Sequence, residues 1–339
     1  MRRIVIVLII LITACAAVAS TVKLELKPAK APKPSNKYKL LTIPEPNDDT
    51  DACPFYQKSI GLLPRNLRKT RISNWLKMPP EQLPQEQVLE TLENFKSSLQ
   101  LVKKASKCSK CIWKVPDKLQ PDESLTKYRS LTRIIALNAR LHIARGNYEQ
   151  ALDTIQTGLS MARHIGQGPT LHQGMVGIAI AAAMLNEIEQ LMQMPDAPAL
   201  YQALKNLPKP FIDLDKSSKA EMTELNSSPQ FENNPMLLKL KQKEYQLRNK
   251  RIGQITTRLD RRITALQCIE AIRLYAAAND EKFPTELTKI TTVPVPVDPV
   301  TKKPFAYSLV DSKAVLQEPT DENNAESKDI MRYELTLSK

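Results

Sequence analysis

The side chains of this sequence with the most scope for chemistry are its cysteine thiols. Cys108 and Cys111 form a C-x-x-C motif, and Cys53 and Cys268 bring the number beyond the N-terminal segment to four. An even number of cysteines in an oxidising compartment favours disulfides, and we expect Cys53 to pair with Cys108 or Cys111. A redox pair and a metal site are the alternatives for the motif, although no second C-x-x-C and no paired histidines complete a zinc site.

Other residues suited to catalysis or metal binding are few. His142, His164 and His172 have no cysteine or carboxylate at ligand spacing, so we expect them to satisfy helix ends. The sequence contains no G-x-S-x-G nucleophile elbow, no H-E-x-x-H motif and no glycine-rich phosphate loop. These observations favour a protein that is not an enzyme and that has no cofactor.

The N-terminal segment predicts export. Two arginines precede an uncharged apolar run over residues 4–19, which ends in a small-x-small pattern, and we expect cleavage between Ala19 and Ser20. Residues 1–19 are therefore interpreted as a signal peptide. Two alternatives stay open: lipidation of Cys15, which ends a lipobox-like sequence, and an uncleaved anchor, since the run is close to the roughly 20 residues that span a bilayer. We expect the mature protein in the periplasm or the outer cell envelope.

The composition favours an aliphatic core built mainly from helices. Only 6 Phe, 9 Tyr and 2 Trp occur, while apolar residues make up 42% of the chain. With 8 Gly against 25 Pro, the sequence is poor in the residue that most tight β-turns require. A length of 339 residues is enough for two domains.

The net charge is +13, from 49 Lys and Arg against 36 Asp and Glu, and it is concentrated after the signal peptide and in residues 239–262. A basic helix can bind nucleic acid, anionic lipid or an acidic polymer. Residues 239–262 lack a nucleic-acid reading motif and contain a single aromatic residue, Tyr245, so we expect no specific nucleic acid. A solvated helix face is the alternative to an anionic-binding surface. The residues of that candidate surface are Lys239, Lys241, Lys243, Arg248, Lys250 and Arg251.

The rest of the chain divides into a mainly α body and a small C-terminal α+β unit. We expect a Pro/Lys-rich linker over 20–50, a helical domain over 51–210, a basic helical connector over 211–255 and the α+β unit over 256–339. Apolar spacing predicts helices over residues 87–105, 125–145, 148–165, 171–194 and 236–279. An alternative divides the last helix near Gly253.

In residues 125–165, Ala139 lies late in the first predicted helix, Gly146 lies at the turn, and Tyr148 and Ala151 open the second helix. This pattern resembles one tetratricopeptide repeat. Small side chains at Ala139 and Ala151 allow two helices to approach closely. The resemblance implies an antiparallel helical hairpin, and no following segment repeats the pattern.

The C-terminal unit has Tyr275 on the last predicted helix, Phe283-Pro284 after it, and an Asp298-Pro299 turn before a strand. In this order of features the unit resembles the globular region of type II secretion pseudopilins. Alternating apolar residues predict antiparallel strands over 305–309, 314–316 and 331–337. The resemblance implies a small sheet packed on the helix, here at the opposite end of the chain from the apolar segment.

Some pseudopilins bind calcium in their last loop, and the resemblance implies candidate oxygen ligands in the corresponding place. A solvated acidic loop is the alternative, because the segment contains no glycine to turn the backbone around an ion. The candidate calcium ligands are Asp321, Glu322, Glu326 and Asp329.

A Cys-x-Trp segment over 111–113, an Ala-rich helical region over 136–191 and the ending over 275–307 occur together in this chain. In this combination the chain resembles uncharacterised exported proteins of planctomycete-type bacteria. This resemblance bears on architecture and cellular address.

These observations predict a non-catalytic exported envelope protein that is an interaction or scaffold module. We expect protein partners in the cell envelope, and membrane contact only through the N-terminal segment. An accessory component of a type II secretion or pilus-like system is the alternative, and an uncharacterised hydrolase is the lower alternative.

Overall fold

The computed structural model describes residues 21–44, 49–64, 71–113, 123–227, 234–319 and 330–338. Several predicted sites lie outside these ranges: the signal peptide with Cys15, Ala19 and Ser20, and the calcium candidates Asp321, Glu322, Glu326 and Asp329. Within the described ranges the fold is mainly helical, with a small four-stranded mixed sheet near the C-terminus. The predicted fold class is confirmed at this level.

The elements have the following bounds. The helices are α1 (Cys53–Gly61), α2 (Ile72–Trp75), α3 (Gln85–Glu93), α4 (Lys96–Ser106), α5 (Glu123–Ala144), α6 (Tyr148–Gly166), α7 (Leu171–Leu191), α8 (Tyr201–Lys205), α9 (Asp215–Asn226) and α10 (Pro235–Ala278). The strands are β1 (Val22–Leu26), β2 (Ala306–Val310), β3 (Lys313–Gln317) and β4 (Arg332–Leu337).

Three long helices form the centre of the helical unit, which comprises the described parts of 36–191 and 206–260. α5, α6 and α7 pack on one another, and α5 and α6 form the predicted hairpin. Gly146 makes the turn between them at φ 69°, a left-handed conformation that glycine adopts without steric cost. A Cβ added at Gly177 of α7 would lie 2.5 Å from the Ala162 carbonyl oxygen of α6. Glycine therefore allows the close approach of these two helices.

The segment predicted as one helix over 87–105 is instead two helices, α3 and α4. Phe95 separates them with φ −111° and ψ 6°, and its amide donates to the Leu92 carbonyl at 2.9 Å. Val88, Leu92, Phe95 and Val102 are all buried. Their helical spacing continues through the bend, so apolar periodicity did not reveal it.

The sheet unit comprises the described parts of 1–35, 192–205 and 261–339. Its strands have the order β1-β4-β3-β2, in which β2–β3 and β3–β4 are antiparallel pairs. β1 is parallel to β4, with Val22 opposite Tyr333. The positions of the three predicted strands are confirmed, whereas the expectation of antiparallel strands alone is wrong because β1 adds a parallel pair.

β1 lies within the segment predicted to be an extended linker. Val22, Leu24 and Leu26 alternate with Lys23 and Glu25, and Leu24 and Leu26 are buried. This is the period of a strand with one buried face. The linker prediction is therefore wrong for residues 22–26, where a short alternation of apolar and charged residues lies next to lysine- and proline-rich sequence.

α10 is one continuous helix from Pro235 to Ala278, without the alternative break at Gly253. Its residues up to Asp260 belong to the helical unit, and those from Arg261 belong to the sheet unit. We refer to these two parts as the first half and the second half of α10.

Candidate functional site

The first half of α10 exposes apolar side chains along one face. Met236, Leu240 and Leu247 are 75%, 58% and 57% exposed. At 3.6 residues per turn, these three lie within about 40° of one another around the helix. Exposed apolar side chains aligned on one helix face form a candidate interaction surface.

Basic side chains flank this apolar face on both edges. Lys239, Lys243 and Lys250 follow one edge and Arg251 follows the other, and all four are exposed. A helix face that is apolar with a basic border suits an anionic partner. We define the amphipathic stripe as Met236, Lys239, Leu240, Lys243, Leu247, Lys250 and Arg251.

The opposite face of the same helical segment packs within the helical unit. Tyr245 and Ile252 are buried in a cluster with Leu171. The Tyr245 hydroxyl donates to the Ser218 carbonyl at 2.5 Å, and Asn249 Nδ2 donates to Ser218 Oγ at 2.8 Å. These contacts fix the rotation of the helix about its axis, and with it the outward direction of the stripe.

Two of the six basic residues predicted for the anionic surface make other contacts. The Arg248 guanidinium pairs with the Glu221 carboxylate at 2.6 Å and lies 4.8 Å from the centre of the Tyr245 ring. Lys241 pairs with Glu244 at 2.8 Å. The structure therefore assigns Lys239, Lys243, Lys250 and Arg251 to the stripe, and Arg248 to the anchoring of the helix.

Three of the four predicted disulfide candidates come together in the helical unit. We call Cys53, Cys108 and Cys111 the thiol cluster; the first two are buried and Cys111 is half-buried. Cys268 lies instead in the sheet unit, where burial raises its pKa to about 12. Each of these four cysteines is a thiol in the structure, so the disulfides expected from the sequence are not formed in it.

The electrostatics of the thiol cluster bear on the alternative interpretations of C-x-x-C. Burial, followed by the neighbouring Cys53 thiol and the Asp51 carboxylate, raises the pKa of Cys111 far above its usual value. Reactive cysteines of redox motifs have lowered pKa values, so this environment does not favour a redox pair. Among the described residues, no group of three or more His, Cys, Asp and Glu side chains is arranged to hold a metal ion.

His164 lies in the last turn of α6 and contacts Tyr56. Burial raises the pKa of the Tyr56 hydroxyl, and the neighbouring Cys111 and Cys108 thiols raise it further. The Tyr56 hydroxyl and His164 Nδ1 are 2.9 Å apart. Burial and the Arg163 guanidinium lower the pKa of His164 to about 4, so its imidazole is neutral at pH 7. Sequence spacing did not reveal this Tyr–His pair, because 108 residues separate its members.

His142 and His172 lie in the terminal turns of other helices. His142 is in the last turn of α5, where burial and Arg145 lower its pKa. His172 is the second residue of α7 and is half-buried. The three histidines thus belong to three different helices.

A buried arginine–glutamate pair in the helical unit was missed by sequence reasoning. Arg140 Nε and Nη2 lie 2.6 Å and 2.8 Å from the two carboxylate oxygens of Glu187, and both side chains are buried. Arg140 Nη1 also donates to the Met78 carbonyl at 2.6 Å. A lone arginine within the apolar sequence 134–143 was the available signal.

A second such pair lies in the sheet unit, in the second half of α10. Arg273 and Glu270 form a salt bridge in which both side chains are fully buried. Arg273 Nε donates to the Lys27 carbonyl at 2.8 Å, and the Glu270 carboxylate accepts from the Leu200 amide at 2.9 Å. The pair thus connects α10 to two other segments of the unit.

The predicted Asp298-Pro299 turn is present in the sheet unit. The Asp298 carboxylate accepts from the amides of Val300 at 3.0 Å and Thr301 at 2.7 Å. Arg261 Nε lies 2.5 Å from the same carboxylate. Burial opposes ionisation of Asp298, but Arg261 and the two amides outweigh it and lower its pKa.

In the part of the chain that the structure describes, α7 has the length and hydropathy of a membrane span. Of its most apolar window, 67% is buried within the protein, as is usual for a core helix.

Comparison with known proteins gives no match to this chain among protein families, curated proteins or solved structures. The resemblances to pseudopilins, to the tetratricopeptide repeat and to exported planctomycete-type proteins therefore stay predictions.

Proposed function

We propose that the chain is a non-catalytic exported envelope protein that works as an interaction or scaffold module, and that the amphipathic stripe is its docking surface. The observation that carries the proposal is the joint exposure of Met236, Leu240 and Leu247 beside four basic side chains. The partner proposed for the stripe is the anionic headgroup surface of an envelope membrane, which replaces the expectation that only the N-terminal segment contacts a membrane.

Charge complementarity supports an anionic partner and argues against a second copy of this chain. Two stripes placed face to face would bring Lys239, Lys243, Lys250 and Arg251 against the same cations. Such like-charge contacts are unfavourable, whereas an anionic surface attracts each Lys or Arg near it by about 1 kcal/mol. Glu244 is the acidic residue next to the stripe, and it pairs with Lys241.

The shape of the stripe favours lipid headgroups over a folded acidic protein. The stripe is the outer face of a single helix and, from Met236 to Leu247, has a length of about 16 Å at 1.5 Å per residue. Leucine and methionine side chains can enter the boundary between headgroups and acyl chains. Lysine stems can lie along that boundary while their charges stay in water.

Vesicle co-sedimentation of the purified mature protein tests the lipid contact. We expect binding to phosphatidylglycerol–phosphatidylcholine vesicles and none to pure phosphatidylcholine vesicles. Each of Lys243→Gln and Lys250→Gln is expected to weaken partitioning about fivefold, the equivalent of about 1 kcal/mol. Raising the salt concentration is expected to weaken binding further, because salt screens exposed charges.

Leu62 provides a matched control for the apolar part of the stripe. It is 52% exposed, close to Leu247 at 57%, and it lies just after α1. Leu247→Gln is expected to reduce vesicle binding, and Leu62→Gln is expected to leave it unchanged. Equal binding by both variants and the parent protein, or capture of an acidic protein without any vesicle binding, would contradict the lipid proposal.

Export is tested separately by mass spectrometry of the mature N-terminus in cell fractions. The proposal predicts an envelope fraction whose chain begins at Ser20. A lipidated Cys15 or an intact Met1 in that fraction would still indicate export, by one of the alternative processing routes. Recovery of the intact chain from the cytosol would contradict the proposal.

An accessory role in a type II secretion or pilus-like system is the second candidate. A long helix followed by antiparallel β2, β3 and β4, with the Asp298 turn between, supports it, since the pseudopilin resemblance implies this order. Cross-linking in envelope fractions tests it: secretion-system subunits joined to the sheet unit are expected. Cross-links to unrelated proteins alone would count against this role.

A further inference from the structure

We propose that Cys53 and Cys111 form a disulfide in the folded protein, and that Cys108 remains a thiol. The bond would join the start of α1 to the segment after α4. It would cross-link residues that are 58 positions apart in sequence but lie in one cluster in the helical unit.

Backbone contacts already hold the two segments together at this point. Asp51 and Lys110 form a parallel bridge, and the Ala52 amide donates to the Lys110 carbonyl at 2.9 Å. In a parallel pair, the residues that follow a bridged pair are themselves neighbours, so Cys111 lies beside Ala52, the residue directly before Cys53.

The Asp51 carboxylate adds a second connection on the same side. Its Oδ1 atom accepts hydrogen bonds from the Cys53 amide at 3.0 Å and from the Ile112 amide at 2.9 Å. One carboxylate therefore binds both segments, directly at Cys53 and immediately after Cys111. These contacts thus hold the two cysteines in neighbouring segments before any bond forms.

The third thiol of the cluster is directed differently. Cys108 lies two residues after α4, is buried, and its Sγ donates to the carbonyl of Lys104 in the last turn of that helix at 3.6 Å. Cys111 is the half-buried member and is the one an external oxidant can reach. Of the two neighbouring thiols, Cys53 has the larger effect in raising the pKa of Cys111.

The reaction is exchange with an external disulfide, such as oxidised glutathione or an oxidoreductase of the envelope. The Cys111 thiolate attacks one sulfur of the oxidant, forms a mixed disulfide and releases the first oxidant thiolate. The Cys53 thiolate then attacks the Cys111 sulfur and releases the second. Two protein thiols are oxidised, one external disulfide is reduced to two thiols, and the protons of Cys53 and Cys111 pass through solvent to the leaving thiolates.

Peptide mapping of the intact protein, reduced and then exposed to oxidised glutathione, tests the pairing. Trypsin cleavage after Lys39, Lys58, Lys107, Lys110 and Lys114 separates the three cysteines of the cluster into different peptides. We expect the peptide of residues 40–58 to be linked to 111–114, and the peptide 108–110 to carry an alkylated thiol. A link from 40–58 to 108–110, or complete alkylation of all three cysteines after oxidation, would overturn the proposal.

Variants separate the pairing from general effects on folding. Cys108→Ser is expected to retain the 40–58 to 111–114 link, and Cys268→Ser, in the other unit, is the matched control that also retains it. Loss of the link in Cys108→Ser while the far-ultraviolet circular dichroism is unchanged would assign the bond to Cys108. The bond forms in purified protein with glutathione, so failure of export in the cell leaves this test unaffected.

The rate of bond formation gives an independent check on the assignment. Because the pKa of the Cys111 thiol is raised, its thiolate is scarce at pH 7, and oxidation is expected to accelerate about tenfold per pH unit toward alkaline pH. A rate that does not change between pH 7 and pH 9 would contradict attack by this half-buried thiol.

Discussion

In the first half of α10 the basic residues of the amphipathic stripe face solvent, whereas in the second half Arg261 and Arg273 are paired with carboxylates. The apolar residues of the stripe differ from those of the second half in the same way. Leu247 is 57% exposed, and Ile269 is fully buried. One continuous helix thus has a half that is available to a partner and a half whose side chains are used within the sheet unit.

The comparison shows that the density of charge along a helix does not by itself identify a binding surface. Arg273 is as basic as Lys250, yet its guanidinium donates to the Lys27 and Ala197 carbonyls and pairs with Glu270. A buried charge whose hydrogen bonds and ion pair lie within the protein is not accessible to an external ligand. Exposure beside apolar side chains is the property that distinguishes the stripe.

Removing the buried arginine should have the largest effect. Arg273→Ala leaves Glu270 buried without its cation, and we expect the free energy of unfolding to fall by about 3–5 kcal/mol. Urea denaturation of the full chain measures this. The double variant Arg273→Met with Glu270→Leu should recover much of the loss, because no buried charge is then unpaired. A loss of less than about 1 kcal/mol in Arg273→Ala would remove the contrast between the halves.

Shortening one apolar side chain in each half compares the two environments directly. Ile269→Ala removes fully buried methyl and methylene groups, so we expect a loss of about 2–5 kcal/mol in the free energy of unfolding. Leu247→Ala should change it by no more than about 0.5 kcal/mol, because the side chain is mostly in water. Similar losses in both variants, measured by urea denaturation, would show that the first half is packed like the second.

The smallest expected effect is a pH dependence of the folded protein's stability. It arises from the ion pair of Arg261, the first residue of the second half. The pKa of its partner Asp298 is lowered below the usual 3.8, so the interaction stabilises the folded protein above that pH. As pH falls through the lowered pKa, the carboxylate is protonated and this stability is lost. Glu318 also pairs with Arg261, but burial raises its pKa, so Glu318 is protonated first.

Asp298→Asn provides the measurement for this pH dependence. The difference in unfolding free energy between parent protein and variant should be largest near neutral pH and should shrink below pH 3.8. Denaturation in parallel at several pH values gives this difference. A constant difference down to pH 2 would indicate that the Asp298 carboxylate is not held ionised by its neighbours.

Much of the helical architecture follows from local pattern. Gly146 between two periodic segments predicted the hairpin of α5 and α6, and the alternation of Tyr307 and Leu309 predicted β2. These signals are local because a turn glycine and a two-residue period act within a few residues. The break at Phe95 was missed, since apolar spacing continues through it.

The features that sequence reasoning missed depend on contacts between distant segments. β1 is only five residues long and becomes a strand by pairing with β4, more than 300 positions away. The Arg140–Glu187 and Arg273–Glu270 pairs were missed because both pairs are buried, and composition does not predict which charged side chains are buried. For the basic segment, sequence identified the charges, but only packing at Tyr245 showed which of them face outward.

Fluorescence of a Leu247→Trp variant tests the central claim most directly. The spectrum of the parent protein gives the contribution of Trp75 and Trp113. The emission of the indole introduced at position 247 should shift to shorter wavelength on phosphatidylglycerol vesicles. Brominated acyl chains should quench it. The matched Leu62→Trp variant should show neither change. Identical spectra for Leu247→Trp with and without anionic vesicles would contradict the assignment of the stripe as a membrane-docking surface.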